Sequence, residues 1–313
     1  MLLPLRIPAF VLLACLCADA QPSRPAPETN KGAVAVEMAN VLFRYSPSLT
    51  VFIVRLRGSL IPTPGHSVPS FNDPASFVLG TDAAEMRMST SELESLMNSW
   101  LLRSPKAQLK NVRITAQGDR LLIRGTMKKG VPIPFAATAE PGLTSDNRIR
   151  IAVQQVKTAH VPLKGLMDSL GLSLDDLISQ NGLHGLSVDK DSLLIDPQTA
   201  FPPPQLRAKI TGVRVSNGSL VLTFGHGAPT LPRRPWKNYL ALRGGSVEYG
   251  REQMFDSDLI MIDSTPADPF EFYLRGYWCQ MVSGTIKVTP EKALRIFVPD
   301  YSKIPPGACR AHE

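Results

Sequence analysis

Between Leu109 and Lys157 four strand-length runs follow one another with nothing but turn signals between them. Leu109–Gln117 ends at Gly118-Asp119, Arg120–Lys128 at Lys129-Gly130, and Ile133–Glu140 at Pro141–Asn147, before Arg148–Lys157. Strands joined this closely pair antiparallel, because a parallel crossover needs about a dozen residues or more. Arg148–Val156 shows the alternation most clearly. Ile149, Ile151 and Val153 point one way, Arg148 and Arg150 the other. An antiparallel sheet with one apolar face must find cover for that face.

The stretch just before the meander supplies a cover. Ser89–Leu102 reads STSELESLMNSWLL, with Leu93, Leu96, Met97, Trp100 and Leu101 at i, i+3, i+4, i+7 and i+8. Ser89 with Glu92 forms a capping box that marks the helix start.

Further strands are expected upstream and downstream. Ala33–Arg44, Leu49–Ile61 and Phe77–Arg87 precede the helix. Two short helices, Pro162–Leu170 and Ser173–Asn181, follow the meander, the first with Leu163, Leu166, Met167 and Leu170 on one face. Leu186–Asp196 holds a turn at Lys190-Asp191, and Leu206–Val215 and Ser219–Phe224 flank the hairpin signal Asn217-Gly218. Gly225–Pro235 reads as a loop and a boundary. Beyond it, Asn238–Tyr249 and Asp258–Asp263 read as strands, Pro266–Tyr277 as a turn or short helix, and Met281–Val288 with Ala293–Val298 as a closing strand pair. The expected organisation is residues 1–20 a signal peptide, 21–32 a Pro-rich linker, 33–225 a sheet domain with its core at 77–224, and 226–313 a β-rich C-terminal extension.

Arg6, the apolar run Ile7–Cys17 and Ala18-Asp19-Ala20 fit a secretory signal with its cleavage site. Leu12-Leu13-Ala14-Cys15 also fits a lipobox, with Cys15 as the lipidated residue. Export to a periplasm or cell envelope is expected either way. Cys279 and Cys309 are the disulfide candidates, with two free thiols as the alternative.

The chain carries no G-x-S-x-G, H-E-x-x-H, P-loop or G-x-G-x-x-G motif, so no catalytic residue, cofactor or metal site is assigned. The histidines His66, His160, His184, His226 and His312 are scattered singly. Asp256, Asp258, Asp263, Asp268 and Glu271 form the densest carboxylate group; its spacing does not match an EF-hand loop. Asn217-Gly218-Ser219 is a formal glycosylation sequon. The net charge of +7 suits an anionic partner. Arg233, Arg234, Trp236 and Lys237 in LPRRPWK pair cations with an aromatic ring, as at a membrane surface. No helix is basic along one face, which argues against nucleic acid.

The order of helix, four-strand meander, two short helices and further antiparallel strands resembles bacterial members of the tubular lipid-binding (TULIP) superfamily, such as LmeA-like phospholipid binders and YpmS-like proteins. MSTSELESLMNSWL, KGVPIPFAATAE with DNRIRIAVQQVKTAHVPLKGLMDSLG, and SLLIDPQTAFPPPQLRAKITGVRVSNGSLVLTFG carry the likeness, over roughly Phe77–Phe224. The resemblance implies an α+β fold: a strongly bent antiparallel sheet wrapped around a long amphipathic helix, mostly β, leaving an apolar groove for acyl chains. With the export signal and the absent catalytic motifs, it points to an exported, non-enzymatic phospholipid or acyl-lipid carrier, and the basic–aromatic stretch adds an expected peripheral contact with an anionic membrane. Leu93, Leu96, Met97, Trp100, Leu101, Leu166, Met167 and Leu170 are the expected groove lining, with Met86, Met88 and Met127 near them. A structural or adaptor protein with a dry core is the competing expectation, and a hydrolase built on the Asp256–Glu271 carboxylates a third.

Overall fold

Three long strands form the spine of the fold: β1 (Val34–Ser46), β2 (Leu49–Pro62) and β3 (Phe77–Ser89), antiparallel in chain order. They belong to a computed structural model that describes residues 33–102, 108–129, 131–158, 185–305 and 307–308. The expected signal, the linker to residue 32, and both helices expected at 162–181 lie outside the described residues, and with them Cys15, Leu166, Met167, Leu170 and Cys309. The fold is mostly β.

In β1 the buried side chains alternate as Val34, Val36 and Met38, then Val41, Phe43 and Tyr45. Asn40 breaks the alternation with a φ of 54°, in the left-handed region. On its two sides the neighbour of β1 changes. Ala35–Ala39 pairs antiparallel with β13 (Tyr239–Arg243), whereas Val41–Arg44 pairs in parallel with β17 (Phe270–Tyr273). A polar chain fills the fork: the Asn40 amide donates to Asn238 Oδ1 at 2.6 Å, and Asn238 Nδ2 donates to Asp263 Oδ2 at 2.8 Å. The far edge forks likewise. Val78–Thr81 of β3 pairs in parallel with β10 (Gln205–Ala208), and Ala83–Ser89 antiparallel with β12 (Ser219–Gly225). With β11 (Ile210–Ser216), β16 (Asp258–Asp263), β18 (Thr285–Val288) and β19 (Leu294–Val298), the order is β11-β12-β3-β2-β1-β13-β16-β19-β18. β14 (Ser246–Tyr249) and β15 (Glu252–Phe255) form a separate hairpin.

The expected boundary at 225/226 therefore does not separate two sheets. Residues 239–298 supply five strands to the sheet begun by residues 34–89. Tyr239, Ala241, Ile260 and Ile262 are buried on the second face of β13 and β16, where Leu231 and Trp236 of the preceding loop cover them. Two other expectations change in this region. Pro266–Tyr277 contains β17, because Phe270 and Phe272 face the core with period two. The run from Met281 begins in a helix, α3 (Tyr277–Val282), named after α1 and α2 below, whose Tyr277, Gln280 and Met281 are buried at i, i+3 and i+4.

The meander forms as expected: β4 (Leu109–Gln117), β5 (Arg120–Lys129), β6 (Val131–Leu143) and β7 (Ile149–Thr158), extended by β9 (Ser192–Ile195) and β8 (Leu186–Asp189) into a six-stranded sheet. Register shifts between Lys110 and Arg113 and between Thr138 and Ala139 bend it. Asn217 and Gly218, at φ 49° and 73°, close the β11–β12 hairpin as that dipeptide predicts.

The expected long helix is shorter and changes type. α1 spans Thr90–Leu96, a π-helical turn continues it over Met97–Leu101, and the only other α-helices among the described residues are α2 (Pro197–Ala200) and α3. The capping box is present: Ser89 Oγ accepts from Glu92 N at 3.3 Å, and Ser89 N donates to Glu92 Oε2 at 2.6 Å.

Burial leaves a signature in the tyrosines. Burial raises the hydroxyl pKa of Tyr45, Tyr239, Tyr249, Tyr273 and Tyr277, Tyr277 adding to the effect on Tyr249 and Arg234 opposing it on Tyr239. A folded-state pKa above the unfolded value of 10.0 contributes stability that is complete below pH 10 and lost as pH rises through the folded values. Tyrosinate absorbance during an alkaline titration should therefore lag behind that of the urea-unfolded chain and rise together with loss of the fold. Coincident titrations of native and unfolded chains would refute this.

Candidate functional site

The bend of the six-stranded sheet and the helix laid against it leave an apolar cavity of ≈ 80 Å³. Leu93, Leu96 and Met97 form its helical side. β4 contributes Leu109, Val112 and Ile114; β5 contributes Leu121, Ile123 and Met127; β6 contributes Phe135 and Ala137. Ile151, Val153 and Val156 of β7, Leu193 and Ile195 of β9, and Leu220 of β12 complete the described lining. These are the inward positions of each strand. The row Ile114–Ile123–Ala137–Val156, for example, crosses four strands in register. Gly125 has a local role beside it. A Cβ there would lie 2.9 Å from Cε1 of Phe135, so glycine lets that ring lie across the strand.

Two polar side chains of the helix hold it to the sheet. The β4 edge would otherwise leave backbone groups without partners beside the cavity. Asn98 supplies both halves of a peptide: its Nδ2 donates to Val112 O at 2.7 Å and its Oδ1 accepts from Val112 N at 2.9 Å. One turn earlier, Glu94 Oε1 accepts from Ile114 N at 2.7 Å and Oε2 from Arg113 at 3.0 Å. Asn147, in the β6–β7 turn, repeats the device toward the other sheet. It donates to Ala208 O at 3.0 Å and accepts from Ile210 N at 2.6 Å.

Of the residues expected to line a groove, the structure brings Leu93, Leu96 and Met97 to the cavity. Leu101 is buried in the main core and Trp100 packs against it, and neither is among the cavity lining. The π turn explains the difference. The Leu102 N–H reaches back five residues to Met97 O at 2.7 Å, so residues after Met97 fall out of the 3.6-residue stripe. Met86 and Met88 are core residues, whereas Met127 does line the cavity. Alternation marks the β-strand lining, whereas a space between those strands and the helix is expected from the resemblance alone and not from any residue pattern.

The basic–aromatic stretch is divided. Arg233 and Lys237 are exposed. Arg234 is paired with Glu37 at 2.6 Å, its side chain 7% exposed and its guanidinium 5.1 Å over the Tyr239 ring. Trp236 meets Phe297 edge-on at 6.3 Å. Cys279 is disulfide-bonded.

No family model matches the chain, and neither a curated protein nor a solved structure matches it.

The carboxylates do not gather as one group. Glu271 pairs with Arg44 and accepts from Ser302 N; Asp258 pairs with Arg295 at 2.9 Å. Asp263 and Asp268 meet Asp300, with ligand oxygens within 4.8 Å of one another. The Lys303 ammonium stands among them, 2.7 Å from Asp300 and 3.1 Å from Asp268, and its pKa is raised by these bonds. Asp263 is further occupied by Asn238 and Thr265. The cluster is a cross-brace between the β16–β17 connection and residues 300–303.

Proposed function

We propose that the chain binds a hydrocarbon tail, such as the acyl chain of a phospholipid, in the cavity between α1 with its π turn and the six-stranded sheet, and performs no reaction on it. One observation carries the reading: all seventeen described lining residues are apolar. An apolar void stays dry, so a guest gains contact area without stripping water from polar groups. The lining offers nothing to a charged head group, so selection falls on the tail. Size sets the extent. The cavity of ≈ 80 Å³ is smaller than the apolar cavity of about 150 Å³ that admits benzene. A tail longer than a few carbons enters by displacing Met97, Met127 and Phe135, and methionine's unbranched chain makes that adaptation cheap.

This is the role the TULIP resemblance implies, an exported lipid carrier of the cell envelope. A structural or adaptor protein is the second reading, favoured by the small volume. The hydrolase reading has less support, since its carboxylates hold different partners.

Mass spectrometry of an organic extract of natively purified protein should find a bound lipid. Fatty acids of graded chain length should bind with affinity that rises with length and then levels. A clean extract together with no binding at any length would leave the dry-core reading.

A further inference from the structure

The two ends of the eleven-stranded sheet are finished differently. At one end, β11 lies against β6, and Asn147 bonds Ile210 N at its start. At the other end, every residue of β18 is exposed, including Ile286 at 53% and Val288 at 66%. These two continue core-facing rows. Ile286 extends Met38–Leu240–Met261–Ile296, and Val288 extends Val36–Leu242–Leu259–Leu294. Each row runs off the sheet with its last member uncovered. An edge strand of this kind is a template for another strand.

The charges specify what should be added. On the opposite face Lys287 lies directly across from Arg295, a like-charge pair that is unfavourable in a sheet. Asp258 takes Arg295 at 2.9 Å. Lys287 stands 5.0 Å over the Phe297 ring and forms no ion pair with a carboxylate among the described residues. A carboxylate on an outer strand, opposite Lys287, would complete the row. A second copy of β18 cannot supply it, since Thr-Ile-Lys-Val has no acidic residue.

We propose that β18 receives an extended segment of a partner protein, which adds a strand with apolar residues opposite Ile286 and Val288 and Asp or Glu opposite Lys287. Backbone hydrogen bonds along the edge would give affinity, and the alternating pattern would give selectivity. The inference is independent of the cavity.

Fluorescence anisotropy of the full chain with two labelled peptides, Thr-Val-Glu-Val-Thr and Thr-Val-Lys-Val-Thr, tests it. The glutamate peptide should bind at least about twofold more tightly. Lys287→Glu should reverse that preference, and Ile286→Lys should weaken both peptides, with unchanged circular dichroism. Binding of neither peptide, or a preference untouched by Lys287→Glu, overturns the proposal. So does a dimer in sedimentation that Ile286→Lys dissociates, which would make the occupant a second copy. Peptide-independent sedimentation with anionic phospholipid vesicles, abolished by Ile286→Lys, would make it a membrane and overturn the proposal too.

Discussion

Replacing Asn98 by leucine, nearly the same shape without the amide, should cost about 3 kcal/mol of stability, about 1–3 kcal/mol for each backbone group left without a partner. Val112 is 1% exposed, has no partner in the β4–β5 register, and bonds Asn98 through both its N–H and its C=O. Leucine leaves both groups buried and unsatisfied, and frees the helix from the edge it closes. Asn98→Asp is the informative companion. It keeps the acceptor for Val112 N but places a carboxylate oxygen against Val112 O, so it should also destabilise the fold. Urea unfolding measures both. If Asn98→Leu costs less than about 0.5 kcal/mol, the side chain is not what seals the β4 edge, and the helix is held by Glu94 and its apolar stripe.

The second large effect belongs to the cavity wall. Leu121→Ala removes a buried side chain that lines the void and should cost roughly 2–5 kcal/mol, depending on how far the wall collapses. If the void accepts a hydrocarbon tail, the enlarged void accepts it better. A saturating fatty acid should then recover part of the loss, about 2.7 kcal/mol at a hundred times its dissociation constant. Ala137→Leu makes the opposite change. It fills the space from β6, should leave stability equal or raise it by about 1 kcal/mol, and should abolish binding of the same fatty acid. Calorimetric titration and thermal unfolding of the two variants separate the readings. A void that binds nothing in either variant is a packing defect of a dry core.

The first prediction draws on the polar side of one short helix and the second on the strands that face its apolar side, and the sequence informs them unequally. The Leu93–Leu96–Met97 stripe and the Ser89–Glu92 capping box were readable, because both follow from bond geometry within one or two turns. Glu94 and Asn98, also four residues apart, belong to no motif that the sequence marks. Only the arrival of β4, fourteen to twenty residues later, makes them the cap of a sheet edge. Arg234 and Trp236 show the same limit in reverse. Their composition suits a membrane surface; Glu37, 197 residues from Arg234, and Phe297 hold the two part-buried against the fold.

The sequence by itself determined what short-range sterics and period decide: the strands of the meander, the Asn217-Gly218 hairpin, the turn at Lys190-Asp191, the start of α1, and the inward side of Arg148–Val156, but not that of β2, where a register shift after Ile53 passes burial from Val51 and Ile53 to Leu56. The tertiary structure alone decided which strands meet. It placed β13 and β17 on the two halves of β1, drew residues 239–298 into the first sheet, turned the helix from α to π after Leu96, and left the cavity open. Alternation tells a strand which face to bury but not which neighbour to take, because the backbone groups that pair strands are the same in every residue. Partner choice, and any space left over, depend on how all the buried side chains fill the volume together.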